Sequence, residues 1–226
     1  MLPRDLRTAE AEALASLRSA LGSEARGRWT VELRFEGLRL LPVVLRLAGE
    51  LQSGGPAFRV LFPDAGAAAL ARRDGPELAE RISTFSDHLR APSEAELLIL
   101  VGASQADYEI VEKVCQAHAG RVVLVNPGLE DAAVGIGSVG RERRRGFLAQ
   151  WEAAYALIPL DGSALRRAHP LGWELYRLDP DGYRLAASFD HRPDGEERDG
   201  ALQSAGGGGI GKTLRSVDRL LDGLQR

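Results

Sequence analysis

The residues with the sharpest chemical pattern are Gly206 to Thr213, GGGGIGKT, which satisfy the phosphate-binding loop sequence of Gly, four residues, Gly, Lys, then Ser or Thr. In such a loop the backbone N–H groups and the dipole of a following helix converge on phosphates. That chemistry requires a strand immediately before the loop, and what precedes Gly206 is DGALQSA, which has no strand pattern. A glycine linker running into a helix is therefore the competing reading of Gly206, Gly211, Lys212 and Thr213. A second set is Asp64, Ser104 and Asn126. Each follows an apolar run, so parallel pairing of those runs would bring an acid, a hydroxyl and an amide to strand carboxyl ends, where open α/β sheets bind ligands. Asp64 and Ser104 equally suit helix caps, and Asn126 before Pro127 suits a turn. A third set, Arg141, Arg143, Arg144 and Arg145 in RERRR, could grip phosphate, an anionic lipid headgroup or an acidic protein surface through guanidinium forks, or could simply be a solvated helix face.

No catalytic constellation stands beside these groups, and neither a metal nor a cofactor is expected. His88, His118, His169 and His191 have no mutual spacing suited to a metal site or a triad. His118, near a helix end, reads as a cation facing the negative pole of the dipole. Cys115 is the one cysteine, so no internal disulfide can form, in keeping with a reducing compartment. Its place on an inward stripe makes it a small buried hydrophobe.

The elements that would position these groups begin with an N-terminal helix over Ala9 to Ala25. WTVELRF, Trp29 to Phe35, alternates apolar and polar residues and predicts a strand with one wet face, at or near a sheet edge. An apolar helical run follows Gly37, with Pro42 in its first turn and Arg39, Arg46 and Glu50 on a polar stripe. Phe58 to Phe62 is a second strand. Asp64 then caps a short alanine-rich helix whose negative end suits Arg72 and Arg73. Glu96 to Asn126 reads as strand, helix, strand: Leu97–Val101 and Val122–Val125 are unbroken apolar runs, the mark of strands covered on both faces. Ser104 with Asp107 starts the helix between them, and Gly120 is expected to end it in a left-handed conformation. A glycine-rich loop follows, then helical spacing over Arg141 to Gln150. Four short strands come next, Ala154–Leu160, Ala164–Ala168, Trp173–Leu178 and Tyr183–Phe189, read as antiparallel and with a strong turn at Asp179 to Gly182.

The expected fold is α/β: a three-layer, mostly parallel (Rossmann-like) sheet with an antiparallel C-terminal extension. Residues 1–28 form a helix packed on the domain, 29–190 one α/β domain, 191–210 a flexible glycine-rich linker, and 211–226 a short C-terminal helix. At 226 residues and 44% hydrophobic, the chain can bury a real core. No apolar run approaches the roughly 20 residues that a membrane span needs, and the first 26 residues lack a signal-peptide pattern. The formal charge of -3 gives no general pull toward nucleic acid.

Five segments carry a family resemblance: VELRFEGLRLLPVVLRL (Val31 to Leu47), VLFPDAGAAALARRD (Val60 to Asp74), VVLVNPGLED (Val122 to Asp131), GRERRRGFLAQWEAAYALIPL (Gly140 to Leu160) and ALRRAHPLGWELYR (Ala164 to Arg177). In order and spacing they resemble a cyanobacterial and plastid domain family of unknown biochemistry that includes the low-photosystem-II-accumulation assembly factors. The resemblance implies a non-enzymatic auxiliary factor for photosystem II biogenesis. Its expected partners are photosystem II subunits or assembly intermediates, with a peripheral contact at anionic membrane and no nucleic acid, and its expected location is cytoplasmic or peripheral at the thylakoid membrane. The absence of a transit-like leader points to a bacterial member. The family brings no catalytic residues, and GGGGIGKT lies outside the shared segments. The alternative reading is a nucleotide- or phosphate-metabolite-binding protein using the strand carboxyl ends or that tail; partner identity and oligomeric state stay open.

Overall fold

The computed structural model describes residues 1–24, 27–129 and 146–206. The chain divides into two compact units. One comprises Pro3–Ile158 with Arg167–Leu171; the other comprises Met1–Leu2, Pro159–Arg166 and Gly172–Arg226. The span 29–190, expected as one domain, includes parts of both units.

The first unit is built on helices α1 (Leu6–Ser23), α2 (Leu40–Gln52), α3 (Ala65–Asp74), α4 (Phe85–Arg90) and α5 (Tyr108–Ala117). Its strands are β1 (Arg28–Leu33), β2 (Phe58–Phe62), β3 (Ile82–Thr84), β4 (Leu97–Val101) and β5 (Arg121–Val125), followed by β6, whose full span is Glu152–Leu160. They lie in the order β3-β2-β4-β5-β1-β6, and every neighbouring pair is parallel. Every residue of β4 is buried, so the apolar run does belong to a strand covered on both faces. α1 packs on α2, and α4 packs on α5.

Helix starts follow local chemistry. Asp5, Asp64 and Thr84 each accept a backbone N–H from three residues on, at α1, α3 and α4. Ser104 and Asp107 form a capping box at the 3₁₀ turn that leads into α5. α1 buries Ala9, Ala13, Leu17 and Ala20 completely, at helical spacing, and the three alanines let it approach its neighbours closely.

Several expectations are corrected. β1 is an interior strand between β5 and β6, and its polar face is covered in the middle: Glu32 is 3% exposed and paired with the Arg34 guanidinium at 3.3 Å. β6, the first of the strands read as antiparallel, runs parallel to β1. Gly120 does not end α5 in a left-handed conformation. The helix stops at His118 in an extended conformation, and Gly120 is absent from the glycines with positive φ. Glycine is required at 120 for space, since a Cβ there would lie 2.4 Å from the Glu96 carbonyl oxygen and 2.7 Å from His118 Nε2.

The second unit carries Ser163–Arg166 of β7 (Ser163–Ala168), then β8 (Trp173–Asp179) and β9 (Gly182–Phe189), with β8 and β9 antiparallel. Their turn is at Asp179 to Gly182, where Gly182 takes φ 126°. A helix, α6 (Gly195–Gly206), occupies most of the stretch expected to be a flexible linker over 191–210. A reciprocal cap starts it: the Glu197 amide donates to Asp194 Oδ1 and the Asp194 amide to Glu197 Oε2, both at 2.9 Å. His191 binds the same carboxylate and also Asp190, contacts that hold its imidazole above the ordinary histidine range, led by Asp190 and then Glu197. The expected C-terminal helix, 211–226, lies outside the described residues.

Gly120→Ala forces a methyl group against a main-chain carbonyl that cannot turn away, so it should cost about 2 kcal/mol in urea unfolding. A loss under about 0.5 kcal/mol, the range of an ordinary surface substitution, would show that the close approach is absent.

Candidate functional site

Because β2, β4 and β5 are adjacent and parallel, Asp64, Ser104 and Asn126 do emerge along one edge of the first unit. Each has at least one polar atom engaged by the fold. Asp64 Oδ1 accepts the Ala67 amide at 2.8 Å. The Ser104 hydroxyl and amide both donate to Asp107 Oδ2, at 2.6 and 2.8 Å. Asn126 is the most committed: its Oδ1 accepts the Leu33 amide at 2.7 Å and its Nδ2 donates to the Leu33 carbonyl at 2.8 Å. Its own amide donates to the Val31 carbonyl at 2.9 Å. The carboxamide thus mimics one further rung of the β1–β5 ladder just past Val125, while the backbone turns away at φ 47°, a conformation asparagine tolerates better than most residues.

The other sequence candidates divide by position. Gly206 is the last residue of α6; Gly211, Lys212 and Thr213 lie outside the described residues, as do Arg141, Arg143, Arg144 and Arg145. Among the described residues no group of three or more His, Cys, Asp or Glu could hold a metal ion. Cys115 is buried and its thiol is pushed up to about 12, chiefly by burial, which leaves no thiolate for nucleophilic chemistry.

His118 is not the cation at the end of α5. Burial and then the Arg28 guanidinium push its imidazole below the ordinary histidine range, and its Nε2 is buried with no hydrogen-bond partner among the described residues. Arg28 takes that role instead. Its Nη1 donates to the Gly120 carbonyl at 2.7 Å, and its Nη2 to the carbonyls of Cys115 at 3.0 Å and His118 at 3.2 Å. Arg28, at the start of β1, thereby satisfies carbonyls at the end of a helix some 90 residues later in the chain. His88 is likewise pushed down, first by burial and then by His118 and Arg59.

Open space lies elsewhere. A cavity of about 610 Å³ is lined by Leu6, Phe35, Leu38, Arg39, Pro42 and Leu157, among others, beyond the carboxyl ends of β1 and beside β6. A second groove, of about 770 Å³, runs between α1 and α2 past Glu10, Leu14, Leu45 and Arg46. Sequence reading missed the first cavity because its wall comes from three segments far apart in the chain. The local signal was the FEGLR loop, where two apolar residues flank a glycine at φ 70°.

A family model described as "Domain of unknown function (DUF1995)" matches residues 3–199. No curated protein matches the chain. Among solved structures, the C-terminal domain of a possible DNA helicase from Lactobacillus plantarum WCFS1 aligns over 63% of this chain and 95% of its own, with 10% identity and a TM-score of 0.38. That likeness is too low to speak to function.

Two outcomes follow from the geometry. Asn126→Ala should cost roughly 3 kcal/mol, from two lost hydrogen bonds and a left-handed alanine, and Asn126→Gly should recover roughly 1 kcal/mol by relieving the backbone alone. Equal losses in urea melts would place the whole effect in the side chain. The lowered values of His88 and His118 mean that the unfolded chain takes up protons first. Their contribution to stability is therefore fully present above about pH 6.5 and is lost as pH falls below it, while His191, held above the ordinary range, contributes in the opposite sense and loses its share as pH rises. His118→Gln should flatten that decline in urea melts between about pH 7.5 and 5.5; an unchanged slope would put the linkage elsewhere.

Proposed function

On the premise that this chain belongs to the DUF1995 family of domains of unknown function, we propose that it is a non-catalytic interaction module serving as an auxiliary factor in photosystem II assembly. The observation that carries the non-catalytic part is the use of the strand carboxyl ends. Where this fold would offer polar groups to a substrate, Asp64, Ser104 and Asn126 are bound to the protein's own backbone or to a neighbouring side chain. Releasing them to a ligand would uncap two helix starts and open the β1–β5 junction. The photosystem part rests on the resemblance of the five segments from Val31 to Arg177 to the low-photosystem-II-accumulation factors. Attachment at the thylakoid surface belongs to the same reading, with Arg141, Arg143, Arg144 and Arg145 as the cationic contact. No helix among the described residues is long and apolar enough to cross a membrane.

The rival, nucleotide binding through GGGGIGKT, meets a physical obstacle. The residues leading directly into the pattern form α6, a helix, where a phosphate-binding loop follows a strand.

Affinity purification of the tagged protein from the photosynthetic cells that encode it, together with deletion of its gene, tests the proposal. Co-purifying photosystem II subunits and reduced photosystem II accumulation are expected. A deletion strain with normal accumulation and no such partner would refute it.

A further inference from the structure

The cavity beyond β1 has a wall chemistry that selects a ligand, and its volume of about 610 Å³ falls within the range of about 300–1,000 Å³ usual for small-molecule sites. Leu6, Phe35, Leu38, Pro42 and Leu157 supply apolar surface. The charged residues of the lining are Arg4, Asp5, Glu36, Arg39 and Arg46, and three of these are committed within the protein. Arg4 pairs with Asp5 at 3.4 Å, Asp5 caps α1, and Arg46 Nε donates to Glu10 at 2.8 Å. Arg39 is exposed and makes no hydrogen bond or ion pair among the described residues.

Arg39 also stands at the start of α2, which among the described helices of the first unit is the one with neither a side-chain cap nor an acid in its first turn. Arg39 itself makes no capping bond, and the first turn holds no acid. The positive pole of α2 therefore lacks a side-chain cap at the cavity wall and lies beside a free guanidinium. Glu36, the remaining charge, opposes them from the FEGLR loop, but it is a single exposed carboxylate against a guanidinium and a helix pole.

We propose that this cavity binds a single apolar chain ending in a carboxylate, of the medium-chain fatty-acid type, with the chain against Phe35, Leu38 and Leu157 and the carboxylate held by Arg39 at the start of α2. This site is independent of the photosystem reading and can hold if that reading fails.

Isothermal titration of the full chain with decanoate, kept below its micelle concentration, tests the site against decylamine, which carries the same chain with a cation. Decanoate is expected to bind at least about tenfold more tightly, the difference that one charge-assisted contact supplies. Arg39→Gln, an exposed change, should remove about tenfold of the decanoate affinity and leave decylamine unweakened. Leu6→Glu places a carboxylate in the lining at a helix start that favours acids, so it should weaken decanoate while preserving the thermal melt. Equal or tighter binding of decylamine would assign the cavity to Glu36 and overturn the proposal. So would unchanged decanoate binding by Arg39→Gln, or the absence of heat from decanoate.

Discussion

The bond pair between the Asn126 carboxamide and the Leu33 backbone is the constraint on which the rest of this structure depends. β1 is the first strand of the chain, yet its partner is the fifth, and the strand that follows it in sequence lies two places beyond that partner. Pairing of β1 with β5 is thus non-local and carries the loop-closure cost of joining distant segments. Asn126 closes the join at the point where β5 leaves the sheet. Arg28 closes it at the other end, donating to three carbonyls around the end of α5 and the approach to β5. A strand introduced between long-range partners is held at both ends by polar side chains, with the β1–β5 ladder between them.

Much of this was readable from residue types. Continuous runs such as Leu97 to Val101 can only be strands with both faces covered, and Asp64 and the Ser104–Asp107 pair announce helix starts by spacing alone. What escaped reading depends on contacts between distant residues. Glu32 alternates as a solvent-facing position should, yet in the covered strand it is buried and pairs with Arg34. His118 looks like a cation at a helix end until Arg28, 90 residues earlier, fills that role. Gly120 serves not by its conformation but by admitting the Glu96 carbonyl. β3 is three residues long, too short for any period to show. α6 did carry its own signal, Asp194 and Glu197 at capping distance, hidden among glycines and charges that resemble a linker.

The same division explains why the functional candidates changed meaning. Polar residues after apolar runs mark the ligand edge of an α/β sheet, and Asp64, Ser104 and Asn126 do lie there. Their hydrogen bonds, however, hold helices and strands together, while an open space with several apolar wall residues and one uncommitted arginine lies over β1. A site of that kind suits recognition rather than bond-making, in line with an interaction module as the proposed role within a family whose function is unknown.

Native-state amide hydrogen exchange at Leu33 tests the central claim most directly, since that amide is bonded to no backbone acceptor but to the Asn126 side chain. If Asn126 serves the fold, the Leu33 amide exchanges only through global unfolding, with an opening free energy equal to that from urea melts, and added ATP with magnesium leaves it unchanged. Exchange through a local opening well below the global value, or protection altered by nucleotide, would mean that the strand carboxyl ends are free to serve a ligand.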